Sequence, residues 1–323
     1  MRKYISQIIL TLTCFIIFFA LIPFLSKYPQ PNWDLFGHIA AIKLITFDDI
    51  FNLFRSYDPQ TMGGWPTHIL YGFIPHYIIW FSSFLLTPFS DDPITHATYL
   101  TAILTSALLP FAFYYAMNKA SILADFDLDY KNKLTTALLA SFFSLWWLNY
   151  AESFWGIGAA AVLRLGLLSQ SYGVLLLIYF LGVLFDFIKE ESAWKFQKLV
   201  ILASLMALSN GIVYTYAIFI FGFTGLFYLR MFWKMFFGSI LSLGLAGIWT
   251  VPMIAWKNSY GQNAVYVIYV NVVRLIFESH LAGIVITVLT LLFLTRRKLR
   301  RFSLMLAIGV FLFNFEYLFK LFS

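Results

Sequence analysis

The sequence has a single cysteine, Cys14, set inside a long apolar run near the N-terminus. That excludes a disulfide framework and a thiolate metal site. Charge is scarce as well: Asp, Glu, Lys and Arg make up 11% of the 323 residues, about half the share carried by a soluble domain. Nucleotide-binding glycine patterns, an HExxH zinc motif and a nucleophile elbow are all missing, so the familiar local signatures of those chemistries are excluded. No internal repeat of the transporter kind is visible. What fills the chain is apolar and aromatic. Hydrophobic residues reach 61%, with 37 Phe, 19 Tyr and 10 Trp, and the mean hydropathy is +0.81.

A chain of this composition reads as an all-α integral membrane protein. A helical span needs roughly 20 apolar residues, and such runs follow one another at 4–25, 68–89, 97–117, 134–150, 172–188, 199–209, 211–229, 236–256, 281–295 and 303–321. Barrel strands would be shorter and would alternate. The net charge of +7 comes from basic residues spread over short connections, as membrane topology requires, and nucleic acid is not an expected partner. The opening Met1-Arg2-Lys3 followed by an apolar run reads as a retained signal anchor.

If all ten runs crossed, the N-terminal Arg2 and Lys3 would lie opposite the Arg296–Arg301 cluster, against the positive-inside bias. The run 68–89 is the one expected not to cross. Gly63-Gly64-Trp65-Pro66 leads into it and Pro75-His76 interrupts it, so we read it as re-entrant or interfacial. About nine spans remain, in one transmembrane domain covering 1–323. Fifteen of the 22 Lys and Arg then face the cytoplasm, including Lys119, Lys131, Lys133, Lys189, Lys195, Lys198, Arg230 and Lys234. The N-terminus is expected on that side of the cytoplasmic membrane, and three segments outside it: 26–96, 151–171 and 257–280.

The first external segment concentrates the chemistry. It holds Asp34, Asp48, Asp49, Asp58, Asp91 and Asp92 and four of the five histidines. Asp34 and His38 are four residues apart, so a helix there puts both on one face. The carboxylate then acts as a general base or orients the imidazole; Asp34 also suits a helix N-cap, and the local sequence leaves both roles open. Asp58 lies in turn chemistry, Tyr57-Asp58-Pro59. Trp65, His76 and Tyr77 belong to a Trp-, Tyr- and Gly-rich stretch of the kind that lines sugar-binding clefts. Asp91-Asp92-Pro93 reads as the cap of the helix that follows. In the second external segment Glu152 and Arg164 stand out, the Arg as a snorkelling side chain or as a fork for phosphate. Glu316 and Lys320 lie within an apolar run, four apart, and can neutralise each other. The external histidines show no close pairing along the chain, which gives little support to a zinc site.

Three passages carry a resemblance: Asp34-Leu35-Phe36-Gly37-His38, then Gly63-Gly64-Trp65-Pro66 with Tyr71-Gly72-Phe73-Ile74-Pro75-His76-Tyr77, and the stretch from Leu86-Thr87-Pro88-Phe89 to Asn149-Tyr150-Ala151-Glu152. Together with Trp249-Thr250-Val251-Pro252, their layout resembles the GT-C class of membrane glycosyltransferases. That class includes oligosaccharyltransferases, protein mannosyltransferases and the membrane proteins related to 6-pyruvoyl-tetrahydropterin synthase. The likeness spans roughly residues 1–256 in organisation. It implies transfer of a sugar from a polyprenyl-phosphate donor to an acceptor at the outer membrane face. Asp34 would be the catalytic or metal-binding carboxylate, with His38, Asp58 and Glu152 near it. Arg164 would meet the lipid phosphate, and Trp65, His76 and Tyr77 the substrate. The chain departs from the pattern in two places: a lone Glu152 stands where an Asp-x-Asp is expected, and no WWDYG-type motif occurs. No cofactor is therefore expected, and a divalent metal has little support. Beside the enzyme stands a different class of function, a non-catalytic membrane subunit with a partner chain, or a lipid or solute transporter.

Overall fold

A computed structural model of the chain describes residues 4–23, 33–47, 72–123, 130–149, 168–248 and 250–251, with side chains except at 33–36, 146–149 and 212. Among these residues the fold is all α. The helices are α1 (Ile5–Leu21), α2 (Trp33–Lys43), α3 (Phe73–Leu86), α4 (Pro93–Ala107), α5 (Leu109–Leu123), α6 (Tyr130–Asn149), α7 (Leu168–Lys189), α8 (Ala193–Ser209), α9 (Gly211–Phe227) and α10 (Phe232–Leu245). Two runs, Pro93–Leu123 and Leu168–Lys189, are long and apolar enough to cross a membrane; α1, Phe73–Phe89 and Val213–Phe227 are shorter apolar helices.

Local sequence sets the helix ends. Asp92 caps α4, accepting from the Thr95 amide, with Pro93 at the first helical position, where its missing N–H is no loss. Asn210 closes α8 and caps α9 through Val213, so the pair turns at Ser209-Asn210-Gly211 as the sequence suggests. Several helices extend beyond their apolar runs, α8 and the α4–α5 pair by the most. α8 starts at Ala193 rather than 199 because Ser192 caps it and Lys198 covers the Trp194 ring at 5.0 Å. Its first turns are thus amphipathic and invisible to a search for apolar residues. The run 97–117 is the middle of α4 and α5, which continue one another: the Leu108 amide still donates to the Leu104 carbonyl. Segments 281–295 and 303–321 lie outside the described residues.

Contacts give the helix directions. Leu10 packs on Ala137 and Ala140 with Phe113 and Met117, while Ile17 and Leu21 meet Tyr99, Ala102 and Ile103. α1 therefore runs opposite to α4–α5. Its Thr13 bonds Ser141 of α6 at 2.9 Å. α7 lies along α4–α5 in the same direction, from Thr105–Ser171 through the stacked Tyr115 and Tyr179 to Lys119–Asp186 at 3.0 Å.

The two ends of the bundle differ. One is charged: Lys195 bridges Asp186 and Glu190, Lys189 donates to the Ile122 carbonyl, and Glu191 takes both Arg230 and Lys234. Among the described residues the other end has one ion pair, Lys43–Asp92, and is otherwise held by neutral contacts, among them Asn210 donating to Ser169 at 3.1 Å. α3 stays at this second end. Its start, Gly72, lies against the Ser209 backbone, and its far end leads through Thr87–Phe89 to the cap of α4.

The bundle is apolar outside as well as inside. Large apolar side chains such as Phe15, Phe19, Phe142, Trp233 and Phe237 point outward, while Thr98, Thr101, Ser106, Ser144 and Ser204 are buried. The buried hydroxyls bond carbonyls of their own helices, Thr101 to Ala97 and Ser144 to Ala140 each at 2.7 Å. Small residues with internally satisfied hydroxyls are how helices pack when the surroundings are as apolar as the interior. The structure is consistent with membrane association.

Candidate functional site

The neutral end brings together two histidines 38 residues apart in sequence. α2 buries Ile39, Ala41 and Ile42, with Ile45 just beyond it, and His38 falls on that face. α3 buries His76, Ile79, Trp80 and Ser83, one stripe at helical spacing. Where the two stripes meet, His38 Nδ1 faces His76 Nε2 at 2.7 Å, with the rings 5.0 Å apart and inclined at 65°. His38 is 4% exposed and His76 fully buried. A contact of this kind needs one nitrogen to donate and the other to accept, so one proton lies between the rings.

Burial pushes the His38 pKa down from 6.5 to about 4, because an imidazolium loses its hydration there. Near neutral pH His38 is therefore an uncharged hydrogen-bonding group. It is poorly suited to act as a charged acid and well suited to fix one helix on another. Two more contacts tie α2 down. Lys43 bridges Asp92 at 3.4 Å, and the Phe47 ring stands edge-on to Trp80 at 4.9 Å and stacks on Phe84. Tyr77, half-buried beside His76, sets its ring against Phe73 and Trp80.

Of the residues singled out from the sequence, His38, His76 and Tyr77 meet in this place. Asp34 lies in the first turn of α2, four residues before His38, where a carboxylate is favoured by the helix dipole. Asp58, Trp65, Glu152 and Arg164 lie outside the described residues. Behind the histidines a polar seam joins α4 and α7: Thr98, Thr101 and Thr105 on one, Ser169, Gln170 and Ser171 on the other. The hydroxyls of Tyr99 and Ser209 are buried there without a hydrogen-bond partner among the described residues.

The pairing is what sequence reasoning missed. The histidines looked unpaired because they were compared along the chain; the usable signal was a histidine in each of two short apolar stripes. Lys43 was also missed, since nothing local ties it to Asp92. Among the described residues no group of three or more His, Cys, Asp or Glu is placed to hold a metal. No protein-family model, curated protein or solved structure matches the chain.

Proposed function

We propose that the chain is a GT-C-type membrane glycosyltransferase, moving a sugar from a polyprenyl-phosphate donor to an acceptor at the outer face of the cytoplasmic membrane. The observation that carries the reading is the placement of α2. This short helix, with Asp34 and His38 one turn apart, is fastened by Lys43–Asp92 and His38–His76 onto α3 and α4 at one end of an apolar bundle. The opposite end gathers Lys119, Lys189, Lys195, Arg230 and Lys234, and the positive-inside bias assigns it to the cytoplasm. α2 then lies outside, and α3 is the element that does not cross. Seven crossing runs (α1, α4–α5, α6, α7, α8, α9, α10) plus 281–295 and 303–321 make about nine spans.

In this reading Asp34 is the base or orienting carboxylate, the buried neutral His38 holds its helix in place, and Asp58 and Glu152 complete the acidic set. Arg164 meets the donor phosphate, and Trp65, His76 and Tyr77 shape the sugar site. The prenyl chain stays in lipid while the sugar-phosphate reaches water beside α2. The engagement of both histidines with each other favours a second reading, a non-catalytic membrane subunit or a lipid or solute transporter in which this end is only structural.

The test is the profile of cell-surface glycans and polyprenyl-linked sugars in a deletion strain carrying wild type or Asp34→Asn at equal expression. A missing sugar with its lipid donor accumulating, restored by wild type alone, supports transfer chemistry at α2. Equal rescue by both removes Asp34 from catalysis and puts the subunit reading first.

A further inference from the structure

α3 carries no Asp, Glu, Lys or Arg along Phe73–Leu86, and neither does the turn Thr87–Phe89 that follows it. Its buried stripe of Pro75, His76, Ile79, Trp80 and Ser83 is used up in packing, while Ile78, Phe81, Phe84 and Leu85 are exposed. Phe89 and, from beyond α2, Phe47 enlarge this outer face: Phe89 is 84% exposed, Leu85 76% and Phe47 64%. The face is continuous, since the buried Trp80 ring is flanked by Phe47, Phe81 and Phe84 at 4.9, 5.0 and 4.8 Å. A helix that is apolar on every side is one that is covered on every side. We infer that the outer face of α3 is a lipid-docking surface, seated among the acyl chains of the leaflet at the neutral end. α3 then lies along the membrane interface rather than dipping into a protein-lined cavity.

Four observations name lipid as the occupant. The hydroxyls beside the patch need nothing from a partner: Ser82 donates to the Ile78 carbonyl at 2.7 Å and Thr87 to the Ser83 carbonyl at 3.1 Å. In hydrocarbon a polar group is tolerated when it is bonded internally. The patch also has the composition of the bundle's flanks, where Phe15, Phe19 and Phe142 are exposed. It ends at a polar border. Lys43 stands four residues before Phe47 and Asp92 three after Phe89, and the two pair at 3.4 Å with 49% and 35% of their side chains exposed; Asp91 and His96 are exposed beside them. A step from aromatic to charged within one turn is the profile of a membrane–water interface. Length and attachment agree with it. The 14 residues of α3 rise about 21 Å, short of a hydrocarbon core of about 30 Å. Both its ends are fixed at the same end of the bundle, Gly72 on Ser209 and Thr87–Phe89 at the start of α4.

The surface sets the depth of its neighbours. The apolar face of an interfacial helix sinks on the order of 5–10 Å past the headgroup boundary. Phe47 rests on that face and Lys43 stands at its border, so the end of α2 is held at headgroup level. One consequence rests on the glycosyltransferase reading: a prenyl-linked donor moving in that leaflet reaches α2 sideways along α3, without its chain leaving lipid. The lipid surface itself does not depend on that reading.

The test is spin-label accessibility of the full chain in phosphatidylcholine–phosphatidylglycerol nanodiscs, read as the ratio of collisions with oxygen to collisions with a water-soluble nickel chelate. The single native cysteine is removed by Cys14→Ser. Nitroxides are then placed by Leu85→Cys and Phe89→Cys on the patch, by Phe15→Cys on the α1 flank and by Asp91→Cys at the polar border, all exposed positions. The ratio at 85 and 89 is expected several-fold above that at 91 and close to that at 15. A ratio at 85 and 89 equal to that at 91 means that the patch faces water. Few collisions with either reagent mean that protein covers it, whether another part of this chain or a partner. Either result overturns the lipid surface. Wild type gives a second reading without any substitution, by photolysis of a diazirine-bearing phosphatidylcholine in the same nanodiscs. Adducts on 78–89 as well as on the α1 flank support the surface; adducts on the flank alone overturn it. Neither measurement needs activity, so a failed glycosyltransferase reading leaves the lipid result standing, and a failed lipid surface leaves the Asp34 experiment standing.

Discussion

The backbone of Gly72 lies directly against the carbonyl of Ser209, so closely that no side-chain carbon fits at position 72. This fixes where α3 begins. It also seats the helix at the end of α8, next to the Asn210–Ser169 bond. The glycine is needed for close approach, since its φ of −54° is open to any residue.

Gly72→Ala should therefore be costly. The obstructing atoms are backbone, which cannot swing aside as a side-chain tip would. Overpacking of this kind costs about 1–3 kcal/mol or more, and thermal unfolding in detergent should show it. Gly222, with open space where a side-chain carbon would go, is the control: Gly222→Ala should be neutral or stabilising by up to about 1 kcal/mol.

Asp92→Ala removes a helix cap and an ion pair together. The cap, with the Thr95 amide and hydroxyl as donors, should account for most of a loss of about 1 kcal/mol. Lys43 adds only a few tenths, because both partners are substantially exposed to solvent. A carboxylate with a depressed pKa stabilises above its unfolded value of about 4 and ceases to as pH falls below it. Wild type and variant should thus differ at pH 7 and converge in strong acid, as urea or SDS titrations would register.

Thr13 joins α1 to α6 through Ser141 while also bonding the Ile9 carbonyl of its own helix. Thr13→Val keeps the shape and drops the hydroxyl. Interhelical hydrogen bonds in apolar surroundings average about 0.6 kcal/mol, so a small loss is expected. A double-mutant cycle with Ser141→Ala measures the coupling, and a coupling near zero would mean the Ile9 bond takes up the hydroxyl entirely.

Much of the scaffold was legible in the sequence because its signals are local. Asp92-Pro93 announces the start of α4, Asn210-Gly211 announces a turn, and continuous apolar runs locate α1, α7 and α9. The amphipathic start of α8 escaped because Lys195, Gln197 and Lys198 interrupt the apolar count although they continue the helix. The candidate site was only half legible. Asp34 and His38 could be matched by helical spacing, whereas His38 and His76 meet through the packing of two stripes. No period in the sequence encodes which stripe finds which.

The bundle's two ends are fastened by different physics, and that has a mechanical consequence. At the charged end, carboxylates of α7 and of the turn to α8 grip ammonium and guanidinium groups from α5, α8 and the α9–α10 junction, so sliding one helix by a turn breaks several bonds at once. At the other end, α2 and α3 are held by packed apolar stripes with one histidine contact and one exposed ion pair, an arrangement without a network of charges to break. Thermal motion will fray the protein from that rim first, leaving the base intact.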